Sequence, residues 1–236
     1  MDRILRLQEQ IETHIFYTHF HWDHIQGLPF FQPIYFKSSK INIYSPEPSK
    51  TVFENLDFLF DGSYSPFAGI GSMPSQIAMN ELTPTSSVCG LTISFHPLDH
   101  QQTKTYAFRI TDSDGHSMAI VTDHEARPSM LNDSLVEFLT GVDLLIHDAQ
   151  FTDLEYQKKS GWGHSTPSQA LANATRARVG QCLLTHHDPS RSDAELQTLQ
   201  KQLRKDPRYK NLAFHFAREE VVYPVATLKG QSDQSA

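Results

Sequence analysis

Histidine and aspartate residues concentrate in one short stretch near the start of the chain. The sequence THFHWDHIQGLP occupies residues 18–29 and directly follows an apolar run that predicts a strand. His19 and His21 are two residues apart, so they point to the same side of an extended chain. Asp23 and His24 can then turn toward a second point as a short helix begins. Imidazole and carboxylate ligands suit Zn, Fe or Mn, so this stretch predicts two neighbouring metal positions.

Three later residues share a placement at the carboxyl end of a predicted strand. They are His100, Asp123 and His186. Together with the first stretch they supply five histidines and two aspartates, and Asp123 is suited to bridge two ions. Two ions about 3.5–4 Å apart can hold a bridging hydroxide, because metal binding lowers the pKa of water toward about 7. The pattern therefore predicts a dinuclear hydrolytic centre.

Alternative readings remain for these later positions. His96 lies four residues before His100 and is a second candidate for that ligand, although it falls within the strand. His187 is a second candidate for the ligand at His186, or it supports His186 without contacting the metal. Asp123 could also serve only to cap a turn.

The ordered set of motifs resembles the metallo-β-lactamase superfamily of dinuclear metallohydrolases. The HxHxDH motif at residues 19–24 and the later His, Asp and His carry the resemblance, which covers about residues 11–223. The GLP sequence at residues 27–29 resembles the phosphodiesterase branch, which includes ribonuclease Z. The sequences HDAQF and GHST, at residues 147–151 and 163–166, are similar to the His-Glu-Ala-Thr and Gly-His-Ser-Thr segments of ribonuclease Z.

The resemblance implies a role for each site residue. The first ion would be held by His19, His21, His100 and Asp123, and the second by Asp23, His24, Asp123 and His186. The ions would be zinc, with manganese or iron as alternatives. Asp23 would position the hydroxide, and His164, oriented by Asp148, would contact phosphate or donate a proton. The structural alternatives are that His164 only packs beside a helix cap and that Asp148 is a buried structural carboxylate.

Short apolar strands alternate with amphipathic helices along the chain, which predicts an α/β fold with αββα sandwich layering, as the superfamily has. We expect a single metallo-hydrolase domain over residues 1–226 and a flexible tail at residues 227–236. Strands are predicted at residues 14–18, 41–44, 91–95, 106–110, 117–122, 142–146, 181–185, 212–216 and 219–223. Helices are predicted at residues 2–11, 52–60, 129–139, 167–179 and 192–205, and a loop at residues 61–75.

Two departures from the family pattern bear on function. Superfamily domains open with several tens of residues of strand before the histidine motif, whereas that motif begins here at residue 19. We therefore expect a sandwich without the usual first strands and with an exposed sheet edge, which would allow a homodimer. Only 22 residues lie between His100 and Asp123, where ribonuclease Z enzymes carry a long arm for transfer RNA. The short hairpin counts against a transfer RNA substrate.

Composition narrows the class of protein further. The chain has 236 residues with 13 His and a net charge of −7, which argues against broad binding of nucleic-acid backbones. Two cysteines cannot form a disulfide framework, and no apolar run could span a membrane, so a cytoplasmic location is expected. The favoured function is a metal-dependent hydrolase of small-molecule or nucleotide phosphodiesters. The alternatives are a hydrolase of lactones, thioesters or β-lactams, and an N-terminally truncated, inactive metal-binding fragment.

Overall fold

The computed structural model describes residues 11–63, 65–126 and 133–225, and the chain divides into two compact units. Unit 1 ends at Pro84 and unit 2 begins at Thr85. Nearly all of the helix predicted at residues 2–11, and the whole tail at residues 227–236, lie outside the described residues. The expectation of a single domain over residues 1–226 stays a prediction.

Unit 1 contains a three-stranded parallel sheet in the order β1-β2-β3. In the central strand, Ile41 and Ile43 are fully buried on one face, as the period of two in a strand requires. Leu56 packs into the same core from a helix. The bounds are β1 Glu12–Phe16, β2 Lys40–Ser45, β3 Gln76–Glu81, α1 Trp22–Ile25 and α2 Ser49–Asp57, with short 3-10 turns at Leu28–Phe30, Gln32–Tyr35, Phe58–Phe60 and Ile70–Ser72.

Unit 2 is built on a seven-stranded mixed sheet in the order β10-β9-β8-β7-β6-β5-β4. Its strands are β4 Thr85–Val88, β5 Leu91–Leu98, β6 Thr105–Thr111, β7 Ser117–Val121, β8 Leu144–Asp148, β9 Gln181–Thr185 and β10 Ala213–Phe216. Strands β7 to β10 are parallel, and β5 runs in the same direction because two antiparallel pairings separate it from β7. The carboxyl ends of β5, β7, β8 and β9 therefore meet at one edge of the sheet.

The helices of unit 2 begin where the sequence supplies side-chain caps. Thr152, Thr166 and Ser192 each accept a hydrogen bond from a backbone N–H three residues later and complete a capping box. Helix α5 presents Ala170 and Leu171 to the core of unit 2. The helices are α3 Asp133–Leu139, α4 Asp153–Lys159, α5 Pro167–Arg176 and α6 Asp193–Leu203, and a 3-10 turn spans Pro207–Tyr209. The first part of the helix predicted at residues 129–139 lies outside the described residues.

The predicted α/β class is confirmed, whereas several individual elements differ. The strand predicted at residues 219–223 is wrong, because Glu219 and Glu220 form a turn and Glu220 has a φ of 62°, which breaks an extended chain. The loop predicted at residues 61–75 contains one 3-10 turn. Strands β3 and β4 and helix α4 were not predicted. Within the described ranges, no helix has the length and apolar character that crossing a bilayer requires.

Two histidines of unit 2 are buried in the neutral state. His147 in β8 is fully buried, with Nδ1 2.7 Å from the carbonyl oxygen of Asp148 and Nε2 3.3 Å from the Asn173 amide nitrogen. Nδ1 donates and Nε2 accepts in this arrangement, so a second proton would face another donor. Burial lowers the pKa of His147 to about 4, and burial also lowers the pKa of neighbouring His124 to about 4.

These shifts predict that the protein loses stability in mild acid. The pKa of His147 is 6.5 when unshifted and about 4 in the fold, so the unfolded chain binds a proton more readily. The contribution of His147 to the free energy of unfolding is therefore complete above about pH 6.5 and is lost as the pH drops toward 4. The loss at pH 4.5 is about 2.5 kcal/mol for one such histidine. Urea titrations between pH 7.5 and 4.5 should show a shallower decline for His147→Gln than for the wild type. An equal decline of the unfolding free energy in the two proteins would contradict the conclusion that His147 is buried in its neutral form.

Candidate metal centre

The loop between β1 and α1 in unit 1 gathers four candidate ligands, which we name the loop site: His19, His21, Asp23 and His24. The ring of His19 lies 4.6 Å from that of His21 and 4.2 Å from that of His24, measured between centroids. The Nε2 atom of His24 is 3.4 Å from Oδ2 of Asp23. This clustering follows from the sequence, because the chain is extended through His21 and then turns into α1 at Trp22.

Unit 2 brings together a second group, the strand-end site of His100, Asp123 and His186. Each oxygen of the buried Asp123 carboxylate faces a different imidazole: Oδ2 lies 3.6 Å from Nε2 of His100, and Oδ1 lies 3.1 Å from Nε2 of His186. Zinc binds nitrogen and oxygen ligands at about 2.0–2.2 Å, so two of its ligand atoms at a tetrahedral angle are about 3.3 Å apart. The distance within each pair fits two ligand atoms of one cation.

The backbone at the strand-end site is held in an unusual conformation. Asp123 has a φ of 56° and His186 a φ of 57°, the left-handed region that residues other than glycine rarely adopt. Each residue comes just after the end of its strand, so the chain turns sharply where the side chain of the candidate ligand projects. Such conformations cost about 1–3 kcal/mol each and cluster at functional sites.

Further contacts fix the orientation of the two histidine rings. His100 donates from Nδ1 to the carbonyl oxygen of Gly163 at 2.7 Å, which points Nε2 toward Asp123. The side-chain amide of Gln150 lies 3.3 Å from Nδ1 of His186. Metal-binding histidines are oriented in this way by a partner on the second ring nitrogen.

The electrostatic field at His186 favours positive charge. Burial lowers the pKa of His186, but the hydrogen bond and the negative charge of Asp123 outweigh it and raise the pKa to about 9. The charge of Asp148 acts in the same direction. The field that attracts a proton here also attracts a cation.

His164 and Asp148 form a pair beside the strand-end site. Nδ1 of His164 is 2.8 Å from Oδ2 of Asp148, and its ring lies 5.0 Å from that of His100 and 4.8 Å from that of His186. Asp148 is fully buried and also accepts the backbone N–H groups of His124 and Gln150. A carboxylate fixed in this way sets both the tautomer and the direction of the imidazole that it binds.

Comparison with known proteins assigns the family. The sequence model of the β-lactamase superfamily domain matches residues 5–187, well over half of the chain. The chain belongs to the metallo-β-lactamase superfamily.

Among individual proteins, the chain is similar to ribonuclease Z enzymes and to other proteins of this fold. Ribonuclease Z of Mycobacterium tuberculosis strain H37Rv is 34% identical over 126 residues, which cover 50% of this chain and 44% of that protein. The chain thus spans about half the length of the curated relatives it matches. The short form of human tRNase Z, ELAC1, aligns with a TM-score of 0.63 at 21% identity over 91% of this chain and 79% of that one. A diphosphatase of the PhnP family aligns with a TM-score of 0.62 at 20% identity over 93% and 74%. These structures confirm the predicted metallo-β-lactamase fold.

A further positioning residue, Glu125, was not predicted. Its buried carboxylate accepts hydrogen bonds from the backbone N–H groups of Gly161 and Gly163 at 2.8 and 3.1 Å and from the hydroxyl of Tyr156 at 2.7 Å. It thereby holds the GHST segment at residues 163–166, whose first residue, Gly163, accepts the hydrogen bond from His100. Proximity to Asp123 in the sequence is the only signal that could have suggested Glu125.

His96 and His187, the alternative candidates for the ligands at His100 and His186, make contacts of a different kind. Nε2 of His96, in β5, is 3.0 Å from the hydroxyl of Ser134, and its ring contacts Phe138. His187 packs its ring 5.4 Å from that of Phe216. Among the described residues, neither His96 nor His187 belongs to a group of side chains that could hold a metal ion, which favours His100 and His186 as the candidate ligands.

Gly163 is required for the orientation of His100. A Cβ atom at Gly163, whose φ is 85°, would lie 2.3 Å from Nδ1 of His100. We expect Gly163→Ala to weaken zinc binding by at least about tenfold, since the ring must move away from the carbonyl that orients it. Competition with a chromophoric chelator measures the affinity. Gly161→Ala is the matched control, because Gly161 also has a positive φ but no atom within 4 Å of the added Cβ. Equal weakening in both variants would mean that backbone strain, not the clash, is responsible.

Proposed function

We propose that the chain is a dinuclear metal-dependent hydrolase that acts on phosphodiesters. The observation that carries this proposal is the buried Asp123 carboxylate, which turns one oxygen toward His100 and the other toward His186. A carboxylate so placed can ligate two cations at once, and hydrolases with paired ions use them to stabilise both the attacking and the leaving oxygen.

The loop site and the strand-end site together supply the ligands in this proposal. His19, His21, His100 and Asp123 would hold one ion, and Asp23, His24, Asp123 and His186 the other. The donor atoms are nitrogen and oxygen only, which suits zinc and leaves manganese or iron as alternatives. Membership of the superfamily supports the same assignment.

The residues of the chain have separate tasks in the reaction. Bound ions would lower the pKa of a coordinated water toward about 7 and stabilise negative charge on the phosphate. Asp23 would orient the attacking oxygen. Asp148 accepts a hydrogen bond from Nδ1 of His164. As an imidazolium, His164 would keep its Nδ1 proton on this contact and give its Nε2 proton to the leaving oxygen.

The proposed substrates are small-molecule or nucleotide phosphodiesters. The relatives named ribonuclease Z and the PhnP-family diphosphatase support phosphoester chemistry. Between His100 and Asp123 the structure has the plain hairpin of β6 and β7, and no long arm for transfer RNA lies there. Transfer RNA is therefore not the substrate we propose. We continue to propose a cytoplasmic location, because two cysteines cannot form a disulfide framework.

Hydrolysis of bis-p-nitrophenyl phosphate by the purified, zinc-supplemented protein tests the proposal. We expect turnover that chelation removes and zinc restores, and we expect His21→Ala to lose it. Parallel assays with lactone, thioester and β-lactam substrates would separate the alternative activities. The proposal fails if the diester is not hydrolysed, or if His21→Ala hydrolyses it at the wild-type rate.

A further inference from the structure

We propose that Trp162 forms a stacking subsite for the base of a nucleotide substrate, so that the favoured substrates are nucleotide phosphodiesters. This inference rests on the proposed function and makes it more specific. The indole of Trp162 is 57% exposed, although large apolar side chains are mostly buried in folded proteins. It lies between two glycines with positive φ, Gly161 at 89° and Gly163 at 85°, which form a sharp turn.

The backbone around this exposed ring is fixed rather than loose. The N–H groups of Gly161 and Gly163 donate to Glu125, and the carbonyl of Trp162 accepts from the Gln101 side chain at 2.8 Å. The N–H of Trp162 donates to the carbonyl of Lys159 at 3.1 Å. A ring held on a fixed backbone binds a planar ligand with little loss of conformational freedom.

The same turn leads directly into the proposed catalytic machinery. The carbonyl of Gly163 orients His100, and the next residue, His164, carries the proton in the proposed reaction. Trp162 is thus two residues from the proton donor in the chain, on a segment with contacts to both histidines. A base stacked on Trp162 would belong to a group attached to the reacting phosphate.

The positively charged side chain of Lys159 lies near the indole of Trp162. The Lys159 ammonium lies 5.8 Å from the centroid of the Trp162 ring and 4.3 Å from that of Phe151, and it is 3.5 Å from a carboxylate oxygen of Asp188. Phe151 in turn contacts the ring of His164. An aromatic platform beside a cation matches a ligand with a planar base and a phosphate, and stacking contributes about 5- to 150-fold in affinity per base.

Calorimetric titration of the zinc-loaded full chain tests the subsite. The probes are thymidine 5′-monophosphate and 2-deoxyribose 5-phosphate, which share the sugar phosphate and carry a base or a hydroxyl group, respectively, at the anomeric carbon. We expect Trp162→Ala to weaken the nucleotide by about tenfold or more and the phosphosugar by less than about twofold, with Trp162→Phe retaining most of the affinity. The matched control is Leu154→Ala, which removes another exposed apolar side chain, from α4, and should change neither affinity.

The outcomes separate this inference from the proposed function. If the wild type hydrolyses bis-p-nitrophenyl phosphate but binds the nucleotide no tighter than the phosphosugar, the subsite is wrong and the hydrolase remains. Equal weakening of both probes in Trp162→Ala also overturns the subsite, because it indicates a disturbed turn. If the wild type binds no metal and hydrolyses no diester, both proposals fall.

Discussion

We expect Asp123→Asn to lower kcat/KM for bis-p-nitrophenyl phosphate by at least about 1,000-fold and to lower the metal content to one ion or none. The carboxylate has an oxygen toward His100 and another toward His186, and its single charge is shared between both positions. An asparagine keeps one acceptor oxygen, and it turns an NH₂ group toward the other position. Loss of the transition-state stabilisation by a metal, several kcal/mol, corresponds to about three orders of magnitude in rate.

Kinetics and metal analysis of the same preparation check this result. Asp193→Asn is the matched control, since Asp193 is an exposed aspartate at the start of α6 in the same unit. That variant should retain wild-type activity and metal content. An Asp123→Asn protein that keeps two ions and at least a tenth of the wild-type kcat/KM would show that Asp123 bridges nothing.

His164→Ala lowers kcat by about 100- to 1,000-fold while the protein keeps its full metal content. General acid catalysis contributes about 100- to 10,000-fold, and the Asp148 contact at Nδ1 leaves Nε2 to carry the proton. A nitrophenolate leaves readily without a proton, whereas the alkoxide leaving from a dinucleotide needs one. The loss should therefore be larger with thymidylyl-(3′,5′)-thymidine than with bis-p-nitrophenyl phosphate. We expect Asp148→Asn to lower kcat less than His164→Ala does, and to shift the pH profile of kcat.

His215→Ala provides the comparison for this variant, because His215 lies in β10, where its ring contacts that of Tyr223. It should leave kcat and metal content unchanged with both substrates. An equal loss with both leaving groups in His164→Ala would contradict proton donation. Loss of metal from His164→Ala would instead make His164 a ligand.

The sequence predicted best the elements whose signals are local. Strand β9 and the hairpin of β6 and β7 are apolar runs bounded by turn residues, and α5 has both a Thr166 cap and a proline in its first turn. Strand β3 was missed because its sequence, QIAMNE, has little β propensity and owes its conformation to parallel pairing with β2. Helix α4 has no buried residue, so it lacks an apolar period, and only the capping box of Thr152 and Glu155 marks its start.

The candidate ligands were predictable because each follows a strand, and parallel strands end at the same edge of a sheet. His100, Asp123 and His186 meet in unit 2 for this reason. The supporting contacts were not predictable in the same way. Glu125 acts through backbone N–H groups, and Gly163 through the space it leaves beside a ring, and neither interaction leaves a signature in residue type.

Metal content of the purified protein, measured by inductively coupled plasma mass spectrometry after dialysis against zinc and then against buffer alone, tests whether the chain holds a dinuclear centre. We expect two zinc ions per chain, falling to one or none in Asp123→Asn. A wild-type protein that is folded and retains no ion after this treatment would contradict it.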